Sequence, residues 1–134
     1  MEKVDFEGID FGVYGSWSLL GSRSKLRKHL RDGNIGNAEA VALYRRSKIG
    51  LNMHRRAMGY GRRVPMIEHA ESLNPRAYEL AACGIFQISD WRQELDEVFG
   101  GAVPVFHDAS QLSRMLRLYL NDDKAREQSA YRAM

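Results

Sequence analysis

Apolar positions along the chain change their period several times, and each change marks an element. Ile9-Asp10-Phe11-Gly12-Val13-Tyr14 alternates and ends in Gly15, the pattern of a strand entering a loop. Ser22 to Arg31 is helical in composition and stops at Gly33; with only Leu26 and Leu30 as anchors, that helix is expected to be mostly exposed. Asn37 is placed to cap a second helix over 38–46, with Ala38, Val41, Ala42 and Tyr44 as its apolar contacts. Lys48 to Met53 reads as a strand. Residues 55–73, with Gly59, Gly61 and Pro65, read as a loop whose length marks it as functional or mobile.

The clearest local signal is Asn74-Pro75-Arg76-Ala77-Tyr78-Glu79-Leu80-Ala81-Ala82-Cys83-Gly84. Asn74 supplies a capping oxygen, Pro75 suits the first helical position, and Gly84 supplies the left-handed residue that ends the helix. Ile85-Phe86-Gln87-Ile88 then has the length and composition of a buried strand. A short helix over Arg92–Val98, a Gly100-Gly101 turn and a strand over 102–106 follow. Leu112, Met115, Leu116, Tyr119 and Leu120 keep the spacing of a helix with one buried face. The polar tail from Asn121 to Met134 reads as a further helix that frays. Short apolar strands separated by helices predict an α/β, Rossmann-like parallel sheet flanked by helices.

At 134 residues the chain has the size of one domain, and 44% hydrophobic with 28% charged residues is ordinary globular composition. No stretch approaches the ~18–20 apolar residues of a membrane span. The lone Cys83 excludes an internal disulfide and favours a reducing, cytoplasmic setting. The net charge of +3 is unevenly spread: residues 17–63 carry twelve Lys or Arg against two acids, residues 64–134 seven against eleven. That asymmetry fits an anionic partner and equally fits one solvated helical face.

The chemistry gathers around the capped helix. Glu71 stands on its approach loop and Glu79 inside it, eight residues apart. A helix N-terminus attracts phosphate and carboxylates accept from hydroxyls, so together they suit a phosphorylated, hydroxyl-rich ligand. In α/β sheets such ligands lie at the carboxyl ends of the strands. Gly15, Asn52, His54 and the 71–76 loop are all expected at that edge.

With Ala81-Ala82-Cys83-Gly84 and a hydrophobic strand behind it, the Glu71-x7-Glu79 pair resembles the donor-binding, carboxyl-terminal half of group 1 glycosyltransferases, nearest the spore-maturation-type branch. Tyr14-Gly15-Ser16-Trp17, Tyr44 to His54, and Val105-Phe106-His107-Asp108 lie in the order this resemblance requires. The implied reaction moves a sugar from a UDP- or GDP-linked donor to an acceptor hydroxyl, without a bound metal or other cofactor. The resemblance implies that Glu79 contacts the ribose hydroxyls and that Glu71 helps position the donor sugar. It makes Gly15-Ser16 the phosphate-approach turn, and Asn52, His54, Ser72 and Asn74 further donor contacts. Two departures stand out: Ser72-Leu73-Asn74 replaces a glycine-containing turn, and Trp17 occupies a second glycine's place.

Several residues read in more than one way. Arg76, a cation in the first helical turn, opposes the helix dipole and so needs a partner: Glu71, Glu79 or a donor phosphate. His54 at a strand end is a structural residue or a ligand contact. The basic segment Arg55 to Arg63 is a solvated loop, a cover for the diphosphate, or a nucleic-acid track. His29, His54, His69 and His107 show no metal-ligand spacing, so no metal site is expected. The resemblance further implies an acceptor domain outside these residues, with the first strand and helix of the donor domain before Met1. The chain by itself is then a partial domain, catalytically inactive and prone to self-association through an exposed sheet edge. Two alternatives remain open here: a non-catalytic nucleotide-sugar-binding or assembly module, and a basic nucleic-acid-binding protein.

Overall fold

Three short parallel strands organise the protein, each preceded in the chain by a helix. A computed structural model describes residues 1–18, 20–31, 33–54 and 71–134. Strand β1 (Gly50–Asn52) pairs with β2 (Gln87–Asp90), which pairs with β3 (Val105–Phe106), in the order β1-β2-β3. The register sets Gly50 opposite Gln87 and Asn52 opposite Ser89, then Ser89 opposite Val105 and Asp90 opposite Phe106. Helices α1 (Asn37–Arg46), α2 (Pro75–Ala82), α3 (Glu94–Phe99), α4 (Ala109–Leu120) and α5 (Asp123–Ala133) complete the arrangement. This is the α/β, Rossmann-like sheet flanked by helices that the sequence predicts.

Helix α2 follows its sequence signals closely. The Asn74 side chain accepts from the Ala77 N–H at 3.1 Å, Pro75 holds the first position, and Gly84 adopts φ +68°. The helix buries Ala77, Leu80 and Ala81. Leu80 reaches so far over β1 that a Cβ on Gly50 would lie 2.6 Å from its Cδ2. Glycine at 50 is therefore required by close approach. Alternation along β2 divides the two faces: Gln87 donates to the Ala77 carbonyl of α2 at 3.1 Å, while Phe86 and Ile88 join Leu112 and Leu116 of α4 in the larger core. A smaller cluster joins Ala77 and Ala81 to Leu95, Phe99, Ala102 and Val103.

Several sequence expectations are corrected. Residues 9–14 form no sheet strand: Val13 makes a single isolated bridge to Leu30, and Gly8 and Gly15, at φ +72° and +110°, turn the chain away on either side. The helix expected over 22–31 shrinks to a 3₁₀ segment, Lys25–His29. Its buried residues are Leu26 and His29, three apart as a 3₁₀ turn requires, because Leu30 is diverted to the Val13 bridge. Gly36, not Asn37, caps α1, which has no buried residue; the expected contacts of Ala38, Val41, Ala42 and Tyr44 form no buried face.

Strand pairing also starts late. Ile85 and Phe86 are buried but precede β2, because the Ile85 N–H is still held by Leu80 at the end of α2. Ala102 and Val103 likewise fill the smaller core ahead of β3. The polar tail is an ordered helix. Asp122 caps α5, Ser129 donates to the Ala102 carbonyl at 2.7 Å, and Arg126, Ala130 and Ala133 are buried.

Candidate functional site

The carboxyl edge of the sheet gathers a buried polar network from four segments. Asn52 ends β1 and is fully buried, a position that requires its amide to be satisfied internally. Asn74 donates to Asn52 Oδ1 at 2.9 Å and to the Met53 carbonyl at 3.3 Å, while Asn52 donates to Ser89 Oγ at 3.5 Å. One side chain thus caps α2 and fastens it to the end of β1. The loop before α2 is tied to α3 as well: Leu73 N–H donates to Glu94 Oε2 at 2.8 Å and Glu94 N–H to the Glu71 carbonyl at 3.4 Å.

Beside this junction Asp90, the last residue of β2, organises a charged cluster. Its Oδ1 accepts from the His54 backbone N–H at 2.9 Å and faces His54 Nδ1 at 2.7 Å; its Oδ2 accepts from Arg92 Nη1 at 3.3 Å. The side chains are nearly enclosed, with 3% of His54, 10% of Asp90 and 5% of Arg92 exposed. Burial pushes the Asp90 carboxyl up, but the His54 side-chain and backbone hydrogen bonds and the Arg92 charge outweigh it and hold the group below its ordinary value. An ionised carboxylate only accepts, so His54 Nδ1 carries the hydrogen and Nε2 points away from Asp90. Among the described residues, His54 Nε2, Arg92 Nε and Arg92 Nη2 are buried without a hydrogen-bond partner.

The expected site residues divide into two groups. Asn52, His54 and Asn74 are brought together at the edge, with His54 enclosed rather than open. Glu71, Ser72, Arg76 and Glu79 are exposed on the loop and on α2. Arg76 forms an ion pair with neither Glu71 nor Glu79, which removes both internal partners considered for it. The α2 N-terminus also offers fewer amides than a generic helix end. Pro75 has none and the Ala77 N–H donates to the Asn74 cap, so Arg76 is left to supply a first-turn N–H.

Gly15 does not close a sheet strand; its N–H donates to the Gly33 carbonyl at 3.1 Å, outside the hydrogen-bonded network. The basic segment 55–63 and His69 lie outside the described residues. Asp90 and Arg92 escaped the sequence reading. The expected strand stops short of Asp90 and Arg92 reads only as the start of a short helix, although a carboxylate closing a buried parallel strand is itself a signal.

A family model described as glycosyl transferase-like matches residues 1–134, the whole chain. No curated protein and no solved structure gives a match. Among the described residues no helix is long and apolar enough to cross a membrane.

Proposed function

This chain belongs to the glycosyl transferase-like family, and from that premise we propose that it binds the donor of a sugar-transfer reaction, a UDP- or GDP-linked sugar. The observation that carries the proposal is the Asn74 junction. It holds the N-terminus of an eight-residue helix at the carboxyl end of β1, with carboxylates before and within that helix. Ligands of parallel α/β sheets occupy this edge.

In this reading Glu79, on the exposed side of α2, accepts from the ribose hydroxyls, and Glu71 helps position the sugar. The departing diphosphate gathers negative charge as the glycosidic bond breaks. Fixed donors are most effective against charge that develops in this way. Arg76 supplies a planar guanidinium and a first-turn N–H on the same residue, and Ser72 adds a hydroxyl. Asn52 and Asn74 hold the loop and helix in register, and His54 lies against the same edge. Residues 1–134 then act as one donor-binding unit, with acceptor recognition falling to another domain.

Isothermal titration with UDP, GDP and uridine tests the proposal. Micromolar to millimolar binding is expected, with NMR shifts concentrated in residues 71–79. Saturation by either nucleotide without shifts there would reject this reading.

A further inference from the structure

The cluster around Asp90 has more donors than acceptors. Asp90 is shared by the His54 backbone N–H, His54 Nδ1 and Arg92 Nη1, and the Trp91 carbonyl takes Arg92 Nη1 at 2.6 Å. Arg92 Nε and Nη2 are left over as donors; His54 Nε2, an acceptor when Nδ1 carries the hydrogen, is also buried without a partner. The orphaned Gln87 Oε1 begins β2 at its opposite end and is no candidate partner.

Nε and Nη2 form one edge of the guanidinium, the two-pronged edge that grips carboxylate or phosphate oxygens in parallel. A buried guanidinium edge without an acceptor is strongly unfavourable, and a charge-assisted pair formed there is correspondingly strong. Asp90 and the Trp91 carbonyl fix the other side of the group, so the free edge is oriented in advance. It belongs to a side chain only two residues beyond the carboxyl end of β2.

We propose that Arg92 is an oxyanion-binding residue whose Nε–Nη2 edge takes two oxygens of the donor's diphosphate, with Asp90 as its positioning residue. The case for a phosphate-like oxyanion at this edge rests on the two unpartnered guanidinium nitrogens. Its identity as the donor's diphosphate rests on the function proposed above. Arg92 is thus assigned a contact separate from Arg76 and from the Glu71–Glu79 segment.

Titrating the whole chain with pyrophosphate, UDP and uridine separates the two ideas, using Arg92→Lys and Glu79→Gln. Lysine keeps the charge and loses the fork. Arg92→Lys is expected to weaken pyrophosphate and UDP about tenfold, the loss of a charge-assisted bond, and to leave uridine unchanged. Glu79→Gln is expected to weaken UDP and uridine but not pyrophosphate. Pyrophosphate that fails to bind, or binds equally to wild type and Arg92→Lys, overturns the inference. Pyrophosphate binding that needs Arg92, beside UDP binding indifferent to Glu79, upholds the fork and rejects the donor reading. If Arg92→Lys does not fold, the Arg92 Nε–H resonance of the wild-type chain decides. It is expected to shift on addition of pyrophosphate, and an unmoved resonance at saturation overturns the proposal.

Discussion

Glu79 and Asp90 show two fates for a carboxylate in one small domain. Glu79 is exposed on α2, without an ion pair among the described residues, so its loss removes no folding interaction. Glu79→Gln is expected to weaken UDP binding about tenfold or more, from a charge-assisted hydrogen bond of roughly 1.5–3 kcal/mol, with the melting temperature unchanged. Titration calorimetry beside a thermal melt checks both halves; a large drop in melting temperature with intact affinity would make Glu79 structural.

Asp90 is the opposite case. Its removal leaves the buried Arg92 charge without its carboxylate, so Asp90→Asn is expected to destabilise the fold by about 3 kcal/mol in urea unfolding. The effect should depend on pH. A carboxyl held lower in the folded chain than its ordinary 3.8 makes the unfolded state bind more protons across that interval, so stability rises with pH there. Its contribution is complete above about pH 4 and is lost as pH falls through the depressed folded value. Wild type and Asp90→Asn should therefore converge in urea midpoint below pH 4 and differ most near neutrality. A gap that stays constant down to pH 2.5 would contradict this assignment.

Among the elements, α2 lies against β1 with no room for a side chain at Gly50. Leu80 is fully buried, so it has little room to yield to a methyl placed 2.6 Å from its Cδ2. Gly50→Ala is expected to destabilise by about 1–3 kcal/mol, the usual penalty of overpacking. Leu80→Ala alone should lose about 2–5 kcal/mol through its cavity. The double variant should be less destabilised than the two losses added together, because the new methyl enters space that the leucine vacates. Urea unfolding of the four proteins measures that coupling, and simple additivity would mean that Gly50 does not touch Leu80 in solution.

For the whole molecule, ligand binding and stability are linked. A nucleoside diphosphate at a hundredfold excess over its dissociation constant adds about 2.7 kcal/mol to the folded state. That increment should raise the melting temperature by several degrees for a chain of this length. Differential scanning fluorimetry with UDP and GDP reads it directly. No rise with either nucleotide at a hundredfold excess over the dissociation constant found by calorimetry would count against donor binding at this sheet edge.

Local chemistry determined α2 from the sequence alone. Asn74, Pro75 and Gly84 each meet a backbone requirement that neighbouring residues impose, so cap, start and stop were all legible. The spacing of Leu112 and Leu116 likewise announced α4 and its buried face. Tertiary structure decided what depends on distant partners. The alternating run 9–14 meets residues 29–31 and makes one bridge, Val13 to Leu30, instead of a strand. The polar α5 stays ordered because Ser129 finds the Ala102 carbonyl and Arg126, Ala130 and Ala133 pack inward, contacts that no hydrophobic periodicity announces. The same holds at the candidate site. Asn74 was recognisable as a cap, but its second bond, to Asn52, exists only because α2 returns to the end of β1. In the sequence Arg92 reads only as the start of a short helix, and Asp90 falls between elements. Only the parallel register, which sets the end of β2 beside His54 after β1, turns them into one buried charge cluster.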